Sequence, residues 1–279
     1  MAITVTTLGT GSPLPDPNRA GPSTLVVAGG TRLLIDAGRG VLMRLAGAGV
    51  LPVMLDAVLL THLHSDHITD LNDVITTQWV MSQAPTPLHI YGPPGTRAVV
   101  DGIFAMLAPD FSYRLAHHDD LTWTPVVEVH ELNAPDELTI GAATIIVRAT
   151  DHRPVEPTVG YRIEHGSASV AIAGDSVPCA GLDELCASAD VYVQTVIRKD
   201  LVALIPNARI QDILDYHSSA EQAGRTAADA GVGTLVCTHY VPALQPAQAD
   251  EWRQQASLHF AGEIVLADDL TSITVGDDV

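Results

Sequence analysis

The hydrophobic and polar positions along the chain predict strands that alternate with helices. Short apolar runs over residues 3–8, 25–28 and 31–36 have the length and composition of strands. Gly29 and Gly30, between the second and third runs, are typical of a tight hairpin turn. Further strands are predicted over residues 57–61, 88–91, 126–132, 143–150, 158–164, 169–173, 191–194 and 234–238.

Helices are predicted between several of these strands. Residues 40–49 read as a short helix, and apolar residues recur at helical spacing from Leu71 to Trp79. A helix over 96–107 follows a turn rich in glycine and proline. The last helix, over 220–230, has a capping-box spacing at its start and a glycine at its end; the residues concerned are Ser218, Glu221 and Gly231.

The alternation of strands and helices indicates an α/β fold, and no internal repeat or linker interrupts it. Candidate site residues occur from the first glycine-rich loop to His239. We therefore expect residues 1–279 to form a single domain whose loops converge on one site.

The composition narrows the possible partners and the compartment. The chain is 47% hydrophobic, so it can bury a sizeable core, and no apolar run reaches the roughly 18 residues of a membrane span. Three cysteines without a C-x-x-C pair fit a reducing cytoplasm, and the N-terminus lacks a secretory signal pattern. The net charge of −19, with a single lysine, makes a large nucleic acid a doubtful partner.

The stretch of sequence THLHSDH, ending at His67, carries the strongest chemical signal. It follows an apolar strand and places three imidazoles and a carboxylate within six positions. Such a density of nitrogen and oxygen ligands suits zinc or a similar divalent metal. His62 and His64 can converge on one ion, and Asp66 and His67 can serve a second ion beside it. Two neighbouring ions indicate hydrolysis of an ester-type bond by a metal-activated hydroxide.

Ligands to complete such a site are expected at later strand ends. His152, Asp175 and His239 each follow a predicted strand, and His217 precedes the last predicted helix. Asp36 also ends a strand, where it could orient a ligand histidine or cap a helix. Six histidines lack this context, and we expect them to be structural or surface residues: His89, His117, His118, His130, His165 and His259.

These segments together resemble the metallo-β-lactamase superfamily of metallohydrolases. The subgroup is similar to ribonuclease Z, the tRNA 3′-processing nuclease, and its phosphodiesterase and arylsulfatase relatives. The resemblance covers nearly the whole chain. The segments that carry it are residues 8–12, 36–38, 62–67, 157–162 and 217–223, with His152, Asp175 and His239.

The resemblance implies an αββα four-layer sandwich and two Zn²⁺ per chain, with Mn²⁺ or another divalent metal as an alternative. It implies His62, His64 and His152 on the first ion, Asp66, His67 and His239 on the second, and Asp175 between them. Asp66 would also orient or deprotonate the attacking water. His217 would stabilise charge on the phosphoryl group or protonate the leaving group. A homodimer is expected on the same ground.

Two departures from the subgroup bear on the substrate. Gln194 and Thr195 stand where ribonuclease Z has a His-Glu pair, whose glutamate supports the histidine equivalent to His217. Bacterial ribonuclease Z also carries a long basic arm for tRNA, whereas here a tight turn after His165 leaves no room for one.

We therefore expect a binuclear phosphodiesterase that acts on a small phosphodiester, such as a cyclic nucleotide. The alternatives are a tRNA 3′-processing endoribonuclease, an arylsulfatase- or lactonase-type ester hydrolase, and a metal-stabilised nucleotide-binding regulator. Arg198 and Lys199 form a basic pair that could grip a substrate phosphate or be solvated surface charge.

Overall fold

The computed structural model describes residues 1–276, which form two mixed seven-stranded sheets. In the first sheet the strand order is β14-β1-β2-β3-β4-β5-β6, and in the second it is β13-β12-β11-β10-β9-β8-β7. The strands are β1 (Ile3–Gly9), β2 (Ser23–Ala28), β3 (Thr31–Ile35), β4 (Ala57–Leu59), β5 (Leu88–Gly92), β6 (Val127–Glu131), β7 (Asp136–Ile140), β8 (Ala143–Ala149), β9 (Val159–His165), β10 (Ala168–Ile172), β11 (Val191–Ile197), β12 (Thr234–Val241), β13 (Glu263–Leu266) and β14 (Thr271–Val275).

Helices cover the outer face of each sheet. They are α1 (Val41–Gly47), α2 (Ser65–Ile68), α3 (Leu71–Met81), α4 (Thr96–His117), α5 (Ala180–Cys186), α6 (Lys199–Val202), α7 (Ala208–Gln211), α8 (Ala220–Ala230) and α9 (Ala249–Ala256). Among the described helices, none is long and apolar enough to cross a membrane.

Three apolar layers hold the sandwich together. The middle layer lies between the sheets and includes Val5, Leu33 and Tyr161. The first sheet packs against α1, α3 and α4, and the second packs against α5, α8 and α9. The predicted αββα fold is confirmed, because each sheet is apolar on both faces and must be covered on both.

Several elements differ from the sequence-based prediction. The elements that were not predicted are β7, β13, β14, α2, α5, α6, α7 and α9. Most residues of the edge strand β7 are exposed, so its sequence lacks an apolar run. The helix expected to end at residue 107 continues to His117 through Pro109, and Phe111 of the added turns packs edge-on against Trp79. The capping box of α8 is formed by Ser219 and Gln222, one residue later than predicted, while Gly231 ends the helix as expected.

Candidate metal centre

The first group of predicted ligands converges at the ends of β4 and β8. His62 Nε2 lies 3.2 Å from His64 Nδ1, and His152 Nε2 lies 3.3 Å from the same His64 nitrogen. Zinc–nitrogen bonds of about 2.0–2.1 Å in a tetrahedral site place neighbouring ligand atoms about 3.3–3.4 Å apart. The spacing of these three nitrogens therefore fits one divalent ion.

The second group lies on the short helix α2 and at the end of β12. Asp66 Oδ2 is 3.1 Å from His239 Nε2 and 3.7 Å from His67 Nε2. All three side chains are buried. Their ligand atoms lie within 4.8 Å of one another, which suits a second ion.

Asp175 lies between the two groups. Its Oδ2 is 3.5 Å from His67 Nε2 and 3.6 Å from His239 Nε2, and it is 3.8 Å from His62 Nε2. Asp175 Oδ1 and His67 Nε2 are buried without a hydrogen-bond partner. Because a buried polar atom without a partner is costly, these atoms fit a site that binds a cation.

Burial sets the protonation of the first group. It lowers the pKa of His62 well below the usual value, lowers that of His64, and lowers the pKa of His152 to about 4. Burial by itself would raise the pKa of the Asp175 carboxyl. The neighbouring His239 and His67 outweigh this effect and hold that pKa well below the usual value. Neutral imidazoles beside an ionised carboxylate are the forms that bind a divalent metal.

In His67 and His152, Nδ1 donates a hydrogen bond that orients the other ring nitrogen, Nε2, toward the metal site. Asp36 Oδ2 accepts from His67 Nδ1 at 2.8 Å, and Asp36 also accepts from the backbone and the hydroxyl of Thr61. The carbonyl of Tyr216 accepts from His152 Nδ1 at 2.9 Å. Of the two roles left open for Asp36, the structure favours the orientation of a ligand, because α1 starts five residues later, at Val41, with Gly40 as its N-cap.

The backbone is strained at two of these positions. Asp36 and His239 have φ values of 60° and 55°, in the left-handed region that non-glycine residues seldom adopt. Such conformations cost about 1–3 kcal/mol and persist where surrounding contacts impose them.

His217 faces the same centre from the turn before α8. Its Nε2 lies 3.2 Å from Asp175 Oδ2, and its Nδ1 donates to the carbonyl of Ile213 at 3.3 Å. Gln194 does not substitute for the glutamate of the subgroup, since its amide is bonded to the hydroxyl of Tyr192 and the carbonyl of Thr195. A backbone carbonyl therefore supports the His217 ring.

A cavity of about 180 Å³ opens onto the metal centre. His64, Asp175, His217 and His239 form its polar end. The remaining lining residues are Ser12, Pro13, Leu14, Arg209, Ile210, Ile213, Tyr216 and Val241. An adjoining hollow of about 420 Å³ shares His64, Arg209 and Tyr216 with it. The segment around α7 thus forms one wall of the cleft.

The predicted substrate-binding pair is not at this cleft. The Arg198 guanidinium is buried and bonded to Asp200 at 2.7 and 2.8 Å and to Glu251 at 3.2 Å, so its charge is already neutralised. Neither Arg198 nor Lys199 lines either hollow. Two arginines lie at the cleft: Arg153 lines the second hollow and is paired with Asp151, whereas Arg209 lines both hollows and makes no ion pair among the described residues. The sequence does not mark Arg209, because it lies in a short helix without a motif.

An αββα sandwich with adjoining His/Asp clusters at one edge defines a class of metal-dependent hydrolases. Residues 31–240 match the family described as Beta-lactamase superfamily domain. The chain belongs to this superfamily and to its ribonuclease Z-like members. It is a metal-dependent hydrolase of phosphodiester bonds.

Curated relatives and solved structures agree with this assignment. The chain is 57% identical over 275 residues to Ribonuclease Z of Mycolicibacterium paratuberculosis, covering 98% of both chains. It is 56% identical over 277 residues to Ribonuclease Z of Mycolicibacterium gilvum, covering 98% of this chain and 96% of that one.

Among solved structures, the metallo-β-lactamase fold protein YhfI of Bacillus subtilis superposes with a TM-score of 0.75 at 27% identity, over 98% of this chain and 99% of that one. The short form of human tRNase Z shares the fold, with a TM-score of 0.70 at 23% identity over 97% and 98% of the two chains.

Proposed function

We propose that this protein is a tRNA 3′-processing endoribonuclease. The observation that carries the proposal is the identity of 57% across 98% of both chains to a protein named Ribonuclease Z. An alignment that covers 98% of both chains spans the segments that form the cleft and the candidate metal ligands, so we expect the substrate class to be shared.

The expectation of a small substrate rested on the missing arm and on the acidic charge. β9 and β10 are indeed joined by only two residues, Gly166 and Ser167. However, an alignment that covers 98% of both chains leaves no room for a long arm in the relative either. The absence of the arm therefore does not separate this chain from proteins named Ribonuclease Z, and we replace the small-substrate hypothesis with its alternative.

We assign His62, His64 and His152 to one ion, Asp66, His67 and His239 to a second, and Asp175 to both. Zn²⁺ is the preferred candidate because nitrogen ligands dominate. A pair of such ions supplies Lewis-acid stabilisation of phosphoryl oxygens and lowers the pKa of a water molecule.

The side chains around the ions have separate tasks in this proposal. Asp66 orients the attacking water and accepts its proton. His217, held through Nδ1 by the carbonyl of Ile213, presents Nε2 to the cavity and protonates the leaving oxygen. Arg209 at the wall of the cleft is placed to contact a phosphate of the nucleic-acid strand.

Three further expectations belong to the same proposal. Residues 1–279 act as one hydrolase domain, the protein forms a homodimer, and it works in the cytoplasm. Size-exclusion chromatography with light scattering measures the second of these directly.

The test is cleavage of a precursor tRNA that carries a 3′ trailer by the zinc- or manganese-loaded protein. We expect a single cut that releases the trailer, and loss of the cut in Asp66→Asn and His217→Gln. His165→Gln, which changes a histidine bonded to the carbonyl of Ala142 on a distant turn, serves as the matched control and should remain active. Precursor that stays uncut by the metal-loaded wild type, or equal cutting by the wild type and Asp66→Asn, would overturn the proposal.

A second candidate, a phosphodiesterase for small substrates, is favoured by the cavity of about 180 Å³ and the net charge of −19. Bis(p-nitrophenyl) phosphate and a cyclic nucleotide in parallel assays separate the two. Hydrolysis of these compounds together with uncut precursor tRNA would support the second candidate over the first.

A further inference from the structure

A second cluster of metal-ligand side chains lies on β5 and β6, and none of its members belongs to the candidate metal centre. The two strands are parallel, with His89 opposite Glu128 and Tyr91 opposite His130. Because residues two apart on a strand share a face, all four side chains project from the same face of the sheet. β6 is the edge strand of the first sheet.

The His130 and Glu128 side chains both lie close to the Nδ1 atom of His89. His89 Nδ1 lies 3.4 Å from His130 Nε2 and 3.4 Å from Glu128 Oε2. The three ligand atoms lie within 4.8 Å of one another. Ligand atoms of a tetrahedral zinc site lie about 3.3–3.4 Å apart, so both distances fit a shared ion.

Hydrogen bonding alone satisfies this arrangement poorly. With neutral rings, one hydrogen on His89 Nδ1 would have to serve both His130 and Glu128. A hydrogen on His130 Nε2 instead would leave the carboxylate facing a lone pair of His89. A single cation placed among the three atoms satisfies all of them at once.

The scaffold holds the ligands in place. The Tyr91 ring stacks on the His130 ring with centroids 4.4 Å apart and an angle of 15°, which fixes the plane of that imidazole. His89 and Glu128 are paired directly across two hydrogen-bonded strands. Sites on strands are held more closely than sites on loops, so little order must be gained on binding.

We propose that His89, Glu128 and His130 form a binding site for a divalent transition metal, separate from the metal centre. Two imidazoles and one carboxylate suit Zn²⁺ or Ni²⁺ and not Mg²⁺. The His89 and Glu128 side chains are 36% and 53% exposed, so a fourth position is open to solvent or to a ligand from another molecule. A metal here ties the edge strand β6 to β5 and stabilises the folded chain by preferential binding.

The test compares the metal content of variants of the full-length, metal-loaded protein. The wild type, Glu128→Gln and His89→Gln are dialysed to equilibrium against the same buffered free Zn²⁺, and bound zinc per chain is measured by mass spectrometry. We expect both variants to hold one equivalent fewer than the wild type. Thermal unfolding should show a Zn²⁺-dependent rise in Tm that is smaller in the variants.

Matched controls are Glu137→Gln, an exposed carboxylate on the edge strand β7, and His117→Gln, an exposed histidine at the end of α4. Both should bind as much zinc as the wild type, and all five proteins should retain equal hydrolytic activity. Equal zinc content in the wild type and both site variants would overturn the proposal. Because the readout is a difference between variants, it does not depend on how many ions the catalytic centre holds.

Discussion

The carboxylate of Asp36 offers a sharp test of how the metal centre is organised. It is buried and accepts three hydrogen bonds, each 2.8 Å long: Oδ1 from the backbone N–H of Thr61, and Oδ2 from the Thr61 hydroxyl and from His67 Nδ1. Asp36→Asn keeps the shape of the side chain. It also suits the backbone, because asparagine tolerates the φ value of 60° at this position.

The amide cannot satisfy these three donors in either orientation. With its NH₂ in place of Oδ1, the amide faces the N–H of Thr61. With its NH₂ in place of Oδ2, the amide places a donor against the Nδ1–H donor of His67. This conflict is removed only if the His67 proton moves to Nε2. That proton would then lie between the ring and the carboxylates of Asp66 and Asp175, where the ligand lone pair is needed.

The expected cost follows from these contacts. A buried donor left without its acceptor costs about 1–3 kcal/mol. Loss of a partner that orients a ligand histidine typically lowers metal affinity about 10–100-fold, or about 1.4–2.8 kcal/mol. We therefore expect Asp36→Asn to bind zinc about 10–100-fold more weakly and to lose activity in proportion to its metal content.

Competition with a chromophoric chelator measures zinc affinity, and thermal unfolding of the metal-free proteins measures the folding cost. Asp56→Asn is the matched control, since its exposed carboxylate also accepts a backbone N–H, from Arg32, far from any ligand. Unchanged zinc affinity in Asp36→Asn would refute the reasoning, because it would mean that the His67 proton is not set by Asp36.

Three further changes test other parts of the structure. Gly174→Ala should destabilise the protein by about 3 kcal/mol, because φ is +65° and a Cβ would lie 2.7 Å from Thr61 Cβ; chemical denaturation measures this. Arg209→Gln should raise KM for precursor tRNA about tenfold at low salt, since one charged hydrogen bond to phosphate is lost. Its zinc content should not change, and steady-state kinetics measure the change in KM. Burial lowers the pKa of His152 to about 4, so between pH 6.5 and 4 the unfolded chain binds a proton at this imidazole and the folded chain does not. The metal-free protein should therefore lose about 3 kcal/mol of folding stability as the pH falls through this range. In His152→Gln the stability should depend less on pH.

The controls isolate each cause. Gly231→Ala has a similar φ of +69° but open space around its Cβ, so it should cost only about 1 kcal/mol. Arg253→Gln removes an exposed guanidinium from α9, and KM should not change. Equal losses in the two glycine variants, or equal KM values in the two arginine variants, would contradict the respective explanation.

The fold and the ligand set were predictable from the sequence to different degrees. The strands whose two faces are both buried, such as β4 and β12, read as continuous apolar runs and were found. The edge strands β7 and β14 were missed, because most residues of β7 are exposed and β14 exposes alternate residues, so neither has an apolar run. The short helix α5 was missed for another reason: its packing depends on tertiary contact, with Gly181 so close to β8 that a Cβ would lie 1.9 Å from the carbonyl of Ala149.

The seven predicted ligands do come together, because each lies near the end of a strand or in the short helix α2 at the same edge of the sandwich. Asp36, the partner of the His67 ring, was among the candidates, but the sequence could not supply the partners of His152 and His217. The carbonyls of Tyr216 and Ile213 hold His152 and His217, and backbone carbonyls have no residue-specific signal. The contact of His89 with His130 depends on the register of β5 and β6, which joins residues 41 positions apart.

The net charge alone is a weak guide to the substrate. Nine of the 13 arginines are paired with carboxylates, among them Arg19 with Asp268, Arg44 with Asp269, Arg148 with Glu184, Arg162 with Glu164 and Arg198 with Asp200. A charge count treats all of them as equally available, whereas a phosphate can use only those that are free and face the cleft. Arg209 makes no ion pair among the described residues and lines both hollows.

A nucleic acid held through a few such contacts and the metal centre would bind with an affinity that depends only weakly on salt concentration, since that dependence scales with the number of phosphates neutralised. The acidic surface then limits nonspecific binding elsewhere on the protein and does not exclude a nucleic-acid substrate.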